Sequence, residues 1–260
     1  MEKDLFESLV EVIATLRGEN GCPWDREQTH TSLKPTLIEE TYETVEAIDS
    51  GDPKKLKEEL GDLLLNVMLQ AQIAAENRDF DIYDVIDTLT EKLIRRHPHV
   101  FGDVHVDDAE EVVKNWEAIK SQEAGYEDRE SVLDGIPNAL PALLRGQKIQ
   151  KRAARVGFDW DDIADVVAKV DEELAEVKDS LHNNDSDAVE MEIGDLLFAV
   201  VNLCRFVDLQ AEEVLRKSNR KFVARFKRME AELEKQGESF SEKTLAELDE
   251  IWEDVKKDES

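Results

Sequence analysis

Two sets of carboxylates in this chain share one spacing. Glu39, Glu40 and Glu43 are followed by Glu59 and Asp62; Glu172, Glu173 and Glu176 are followed by Glu192 and Asp195, each 133 residues later. Positions i, i+3 and i+4 lie on one helix face, so Glu40 and Glu43 are neighbours and Glu39 reaches Glu43. Glu59 and Asp62 form the matching pair on the next helix. Two antiparallel helices joined by a short loop turn both pairs toward each other and concentrate four or five negative charges in a small volume. Asp62 is followed by Leu63, Leu64 and Leu65, and Asp195 by Leu196, Leu197 and Phe198, so the acids border an apolar face. Carboxylates crowded there take up protons unless a cation sits among them. All-oxygen ligation without His or Cys suits Mg²⁺, with Mn²⁺ as a substitute, over Zn²⁺. Glu pairs at this spacing are also common on exposed helices, where they answer nearby lysines. Two copies in register, each against an apolar run, favour the metal site.

A divalent cation on carboxylates commonly meets phosphate, and each copy supplies cationic groups one helix later. Lys217, Arg220, Lys221, Arg225, Lys227 and Arg228 lie on a single predicted helix of an otherwise acidic chain. Lys221 and Arg225 are an i, i+4 pair able to grip two phosphate oxygens together. In the first copy, Arg96 stands opposite Lys221, Val100 opposite Arg225, and Thr36 opposite Lys169. The first copy is thus the poorer phosphate site. A di-iron carboxylate bundle would need Glu-x-x-His on two helices. The one such motif, Glu27 to His30, falls in a loop region and has no second copy. No Gly-x-x-x-x-Gly-Lys loop occurs, which argues against a motor or kinase.

The elements that must position these groups are helical. Apolar stripes predict helices over the residues before Gly18, over about 37–49, from 54 onward, over 82–96 and over 108–123. In the second half they are expected at 162–181, 187–207, 211–235 and 244–257, with no strand-like alternation anywhere. The fold class is therefore all-α. Gly21, Trp24 and Asp25 align with Gly157, Trp160 and Asp161 at an offset of 136, and Trp116 aligns with Trp252. Trp24 and Trp160 read as staples of their turns. Trp116 and Trp252 read as core residues or as stacking platforms for a base. Gly125, Gly135, Pro137 and Pro141 make the densest turn signal. The expected division is a helical domain at 1–124, a linker at 125–146 and a second helical domain at 147–260.

Of 260 residues, 62 are acidic and 33 basic, for a formal net charge of −29. That charge opposes sequence-independent nucleic-acid binding, which needs phosphate neutralisation. No apolar run approaches the ~18 residues of a membrane span. Two cysteines, Cys22 and Cys204, make no disulfide framework, and the acidic N-terminus lacks a signal-peptide pattern. A cytoplasmic protein without nucleic-acid or membrane partners is expected.

Several motifs together resemble the MazG family of nucleoside triphosphate pyrophosphohydrolases. They are Cys22-Pro23-Trp24-Asp25-Arg26-Glu27-Gln28-Thr29-His30, Glu39-Glu40-x-x-Glu43, Glu59-Leu-Gly-Asp62 and Arg96-His97-Pro98-His99-Val100-Phe101. Val156-Gly157-Phe158-Asp159-Trp160, Glu192-Ile-Gly-Asp195 and Leu248-Asp249-Glu250-Ile251-Trp252 complete the set. The resemblance runs from about residue 5 to 256 and is to the two-repeat bacterial form. It implies tandem all-α bundles, a homodimer, and Mg²⁺-dependent cleavage of a nucleoside triphosphate to the monophosphate and pyrophosphate by water attack at the α-phosphorus. It implies Glu173, Glu176, Glu192 and Asp195 as metal ligands, and Glu172 beside the substrate or the attacking water. Lys169, Lys221 and Arg225 would hold phosphates, and Trp252 would contact the nucleoside. The corresponding first-copy ligands are Glu40, Glu43, Glu59 and Asp62, with Glu39 beside them. The principal site is then the second copy. The competing class is a nucleotide- or partner-binding regulator whose first copy is a structural or sensing module.

Overall fold

The computed structural model describes residues 2–121 and 130–257, and among these there is no strand. The chain divides into two compact units, Met1–Glu127 and Asp128–Ser260.

The first unit contains α1 (Glu2–Arg17), α2 (Pro23–Glu27), α3 (Lys34–Ser50), α4 (Pro53–Asn77), α5 (Ile82–Arg96), α6 (Pro98–Phe101) and α7 (Ala109–Ser121). Its core gathers Ile13, Leu33, Met68, Leu69, Ala71, Ile73 and Ile82, with Phe6, Leu9 and Leu16 packed against it. Leu5 and Val12, part of the apolar stripe of α1, face outward. The α3–α4 hairpin has local causes. Gly51 ends α3 in the left-handed region at φ 67°, which glycine adopts without strain. Asp52 then caps α4 by accepting from the Lys54 N–H at 2.9 Å, and Pro53 occupies the first turn. On α5, Asp81 and Asp84 form a reciprocal capping box, and the helix stops before His97-Pro98. Gly21 is required where the chain folds back on α1: a Cβ there would lie 2.2 Å from the Leu16 carbonyl oxygen.

Arg17 ties α1, α2 and α4 together. Its side chain is 5% exposed and donates to both Glu76 oxygens, at 2.9 and 2.8 Å. It also donates to the Asp25 and Gln28 carbonyls. These hydrogen bonds, ahead of any other cause, hold the Glu76 carboxyl below its ordinary range. A depressed carboxylate contributes stability above its ordinary range and loses it as pH falls through the depressed value. Arg17→Met should therefore destabilise this unit by about 1–3 kcal/mol at neutral pH, discounted because Glu76 is partly exposed. In denaturant titrations the gap between the variant and the parent should narrow in acid, where only the Arg17 bonds to the Asp25 and Gln28 carbonyls remain. Equal stability at neutral pH would show that the pair contributes nothing.

The second unit contains α8 (Ala142–Arg155), α9 (Ile163–His182), α10 (Ser186–Phe206), α11 (Ala211–Gln236), a 3₁₀ turn (Phe240–Glu242) and α12 (Leu245–Lys257). Asp162 and Asp185 cap α9 and α10 by accepting from Ala164 and Ala188. α9 and α10 pack along each other, α8 packs on α10 and α11, and α12 on α11. Helix α8 begins inside the stretch that turn residues mark as linker. Its fully buried positions are Gly146, Gln147 and Gln150, while the apolar Leu143, Leu144 and Ile149 are only partly buried. Gln147 is fully engaged: it donates to the Leu209 carbonyl at 2.7 Å and accepts from the Ala211 N–H at 2.8 Å, fixing the start of α11. No helix among the described residues is long and apolar enough to cross a membrane.

Candidate active site

The helical hairpins bring the acids of each copy together. In the second unit, Glu173 from α9 meets Glu192 and Asp195 from α10, their carboxylate oxygens all within 4.8 Å of one another. Glu173 is 6% exposed, while Asp195 faces solvent. Glu176 lies outside this triple and is exposed. Its carboxyl is nevertheless pushed above its ordinary range, by desolvation first and then by the charges of Glu173 and Glu192. Lys169 lies a turn earlier on α9 and pairs with Glu172 at 2.8 Å and Glu173 at 2.7 Å. These two bonds, Glu172 first, raise the lysine's pKa and keep it cationic.

In the first unit Glu40 and Glu43 from α3 meet Glu59 from α4 within the same limit. Here Asp62 is the acid left outside the triple. Desolvation, followed by the charges of Asp62 and Glu43, raises the pKa of Glu40. Glu59 is raised by desolvation and then by Glu43 and Asp62. Glu39 is exposed on α3. Thr36 occupies the position corresponding to Lys169, so this cluster has no lysine there.

A cavity of about 600 Å³ opens beside the second cluster, and Lys169, Glu173 and Asp195 form part of its wall. The rest is largely apolar, with Phe158, Trp160 and Phe198 prominent and Gln150, Asn202 and Arg205 as polar members. Arg205 donates to both Asp159 oxygens, and Asp159 also accepts from the Trp160 N–H at 2.9 Å. The Arg205 hydrogen bonds are the main reason that the Asp159 carboxyl is held below its ordinary range. This clamp fixes the 157–161 turn on α10 and thereby places Trp160 at the cavity.

Of the other residues predicted for the site, Lys221 and Arg225 lie on α11 and Trp252 on α12. None of the three is among the cavity-lining residues. The Trp252 ring lies 5.1 Å from the Phe222 ring and 5.8 Å from the Arg225 guanidinium. In the first unit Arg96, which corresponds to Lys221 rather than to Arg225, lies 5.0 Å from Trp116. Sequence reasoning missed Gln150, Phe158, Asn202 and Arg205, and it read Trp160 as a turn staple. The repeated Gly-x-x-Trp-Asp turn pointed to Phe158 and Trp160; no local pattern distinguishes Gln150 or Asn202. Cys204 is half-buried, and burial raises its thiol pKa.

Known proteins place these features in a family. The MazG nucleotide pyrophosphohydrolase domain matches residues 28–101 and 162–229, one segment in each unit. The nucleoside triphosphate pyrophosphohydrolase/pyrophosphatase MazG of Thermotoga maritima is 51% identical over 97% of this chain and 96% of its own length. The nucleoside triphosphate pyrophosphohydrolase of Escherichia coli is 44% identical over 98% of both chains. The YabN protein of Bacillus subtilis is 45% identical over 98% of this chain but only 52% of its own length. With most of the chain aligned at such identity, and a domain match in each repeat, the chain belongs to the MazG nucleotide pyrophosphohydrolase family.

Proposed function

We propose that this family member hydrolyses nucleoside triphosphates to the monophosphate and pyrophosphate in a Mg²⁺-dependent reaction, with its principal site in the second unit. The observation carrying this reading is the convergence of Glu173, Glu192 and Asp195 beside a cavity whose wall also holds Lys169. The donor set fits the cation: every candidate ligand is a carboxylate oxygen, and Glu176 carries a pKa raised by desolvation first and then by the like charges of Glu173 and Glu192. Glu173, Glu192, Asp195 and Glu176 would hold Mg²⁺ (Mn²⁺ as a substitute). When bound, the cation neutralises the triphosphate and polarises its oxygens.

The chain's own groups supply the remainder. Glu172, held by Lys169, orients the water and accepts its proton as oxygen attacks the α-phosphorus. The bond from that phosphorus to the bridging oxygen breaks, and pyrophosphate carries away the electron pair. Lys169 stabilises the charge on the reacting phosphate, and Lys221 with Arg225, one turn apart on α11, receive the leaving pyrophosphate. Trp252 supports the Arg225 guanidinium. The first unit keeps the acids Glu39, Glu40, Glu43, Glu59 and Asp62 but lacks the lysine, so it is assigned a structural or sensing role. Exposed Leu60, Leu64 and Val67 on α4 suit the pairing of two copies into a homodimer.

Incubation with ATP and Mg²⁺ should yield AMP and pyrophosphate in equal amounts by anion-exchange chromatography. Production of ADP and orthophosphate would sink the assignment.

A further inference from the structure

The aromatic rings between α11 and α12 form a continuous series. Phe222 and Phe226 lie one turn apart on α11, their ring centroids 6.0 Å apart and their planes inclined by 21°. Phe226 stacks on Phe240 at 4.9 Å, with 10° between the planes. Phe240 belongs to the 3₁₀ turn that joins the two helices. That turn is fixed by a capping box in which the Ser239 N–H donates to Glu242 at 2.9 Å. At the other end of the series, Phe222 meets Trp252 of α12 at 5.1 Å and 44°. The Arg225 guanidinium lies 5.8 Å from the same indole ring.

Phe222 is the link that core packing does not account for, because it is 55% exposed. Its place in the series points instead to the side chains at its end. An arginine has many rotamers, and holding its planar fork toward phosphate costs less where the guanidinium rests on a ring that is itself held. Trp252 is half-buried, and Phe222 supplies its aromatic neighbour. The internal repeat links the same two groups. The first unit has Phe101 and Trp116 at the positions of Phe226 and Trp252, but His97 and Val100 where the second unit has Phe222 and Arg225. The ring and the guanidinium are missing together in that copy, although the tryptophan stays, and the His97 ring lies against His99 at 5.7 Å.

We propose that Phe222 is a positioning residue of the second-unit site: it holds the Trp252 indole and, through it, the Arg225 guanidinium that meets phosphate. The proposal rests on the pyrophosphohydrolase reading, in which Arg225 receives the leaving pyrophosphate, and it names what keeps that cation in place. Phe222 acts through Trp252 rather than on the substrate. Phe226 and Phe240 carry the constraint back to the turn between the helices, so the setting of the indole follows the packing of α12 on α11.

The test is a double-mutant cycle on pyrophosphate release from ATP with Mg²⁺. Phe222→Leu removes the ring but keeps apolar bulk at an exposed position, so circular dichroism and the melting temperature should stay close to those of the parent. It should lower kcat/KM about tenfold. Arg225→Met should lower kcat/KM by more. In that background Phe222→Leu should cost less than about twofold, because the group it positions is gone. A merely structural role would give the same fractional loss in both backgrounds. Phe222→Tyr keeps the ring and should keep most of the parent kcat/KM. Phe222→Met, which also lacks a ring, repeats the cycle if the leucine variant fails to fold. An unchanged kcat/KM in Phe222→Leu, an equal loss with and without Arg225, or a tyrosine variant as impaired as the leucine one would overturn the positioning role. Absence of pyrophosphate release by the parent, or full activity in Arg225→Met, would instead sink the reading on which the proposal rests, and the proposal with it.

Discussion

Glu192→Ala or Asp195→Ala should cut pyrophosphate release from ATP by about a hundredfold to a thousandfold, whereas Glu59→Ala should leave most of the rate. Glu192 and Asp195 are an i, i+3 pair on α10 that faces Glu173 across the α9–α10 interface. Removing either takes one acid from the triple, and Asp195 is the α10 member that borders the cavity. An interaction made with charge developing in the transition state is worth roughly that factor. Glu59 holds the same place in a cluster with Thr36 where the second unit has Lys169. Loss of fold should not confound the comparison. Each variant removes one of several crowded like charges, so the metal-free protein should melt no lower than the parent. Steady-state rates with circular dichroism as the folding control settle the matter. Unchanged turnover in both α10 variants would move the chemistry to the first unit, and loss of most activity in Glu59→Ala would contradict the division of labour.

Chelation should abolish turnover, and Mg²⁺ should raise the melting temperature at neutral pH. The physical cause is the desolvation of crowded carboxylates and, after it, their mutual repulsion, which together raise the pKa of Glu40, Glu59 and Glu176. For each, desolvation is the first cause and neighbouring acids follow. A carboxyl whose folded pKa lies above its unfolded value costs stability when ionised. The cost is full above the raised folded pKa and is lifted as pH falls through it toward the unfolded value. Mild acidification should therefore relieve the clusters in the metal-free protein. The same protonation removes ligands, so the Mg²⁺-dependent shift should shrink over that pH range. At a hundredfold excess over Kd, a bound cation stabilises by about 2.7 kcal/mol. Thermal scans with and without Mg²⁺, at neutral and mildly acidic pH, measure both effects. No Mg²⁺ shift at neutral pH, or a shift that grows in acid, would remove the metal site.

Much of this arrangement was legible in the amino-acid order because its causes are local. The helix expected over 82–96 is observed as Ile82–Arg96, since Asp81 and Asp84 cap one end and His97-Pro98 stops the other. The acid pairs were visible because a helix turn is short enough for spacing to report a shared face. Helix α8 was harder to read: it starts among turn residues, and its most buried positions are Gly146, Gln147 and Gln150, two of which are held by hydrogen bonds to distant carbonyls.

By itself, the sequence determined that this protein is helical, that it carries two acid sites on repeated hairpins, and that the second keeps the fuller set of cations. Helix periodicity, capping and charge count are properties of neighbouring residues. Tertiary structure alone decided which three acids meet in each copy, with Asp62 set apart in one and Glu176 in the other. It also decided that a cavity lies beside the second cluster, with Gln150 in its wall. Those outcomes depend on how α8 and the 157–161 turn pack on α10, through contacts such as Gln150 to Phe198 and Asp159 to Arg205. Their partners lie more than forty residues apart, so no local pattern encodes the distance between them.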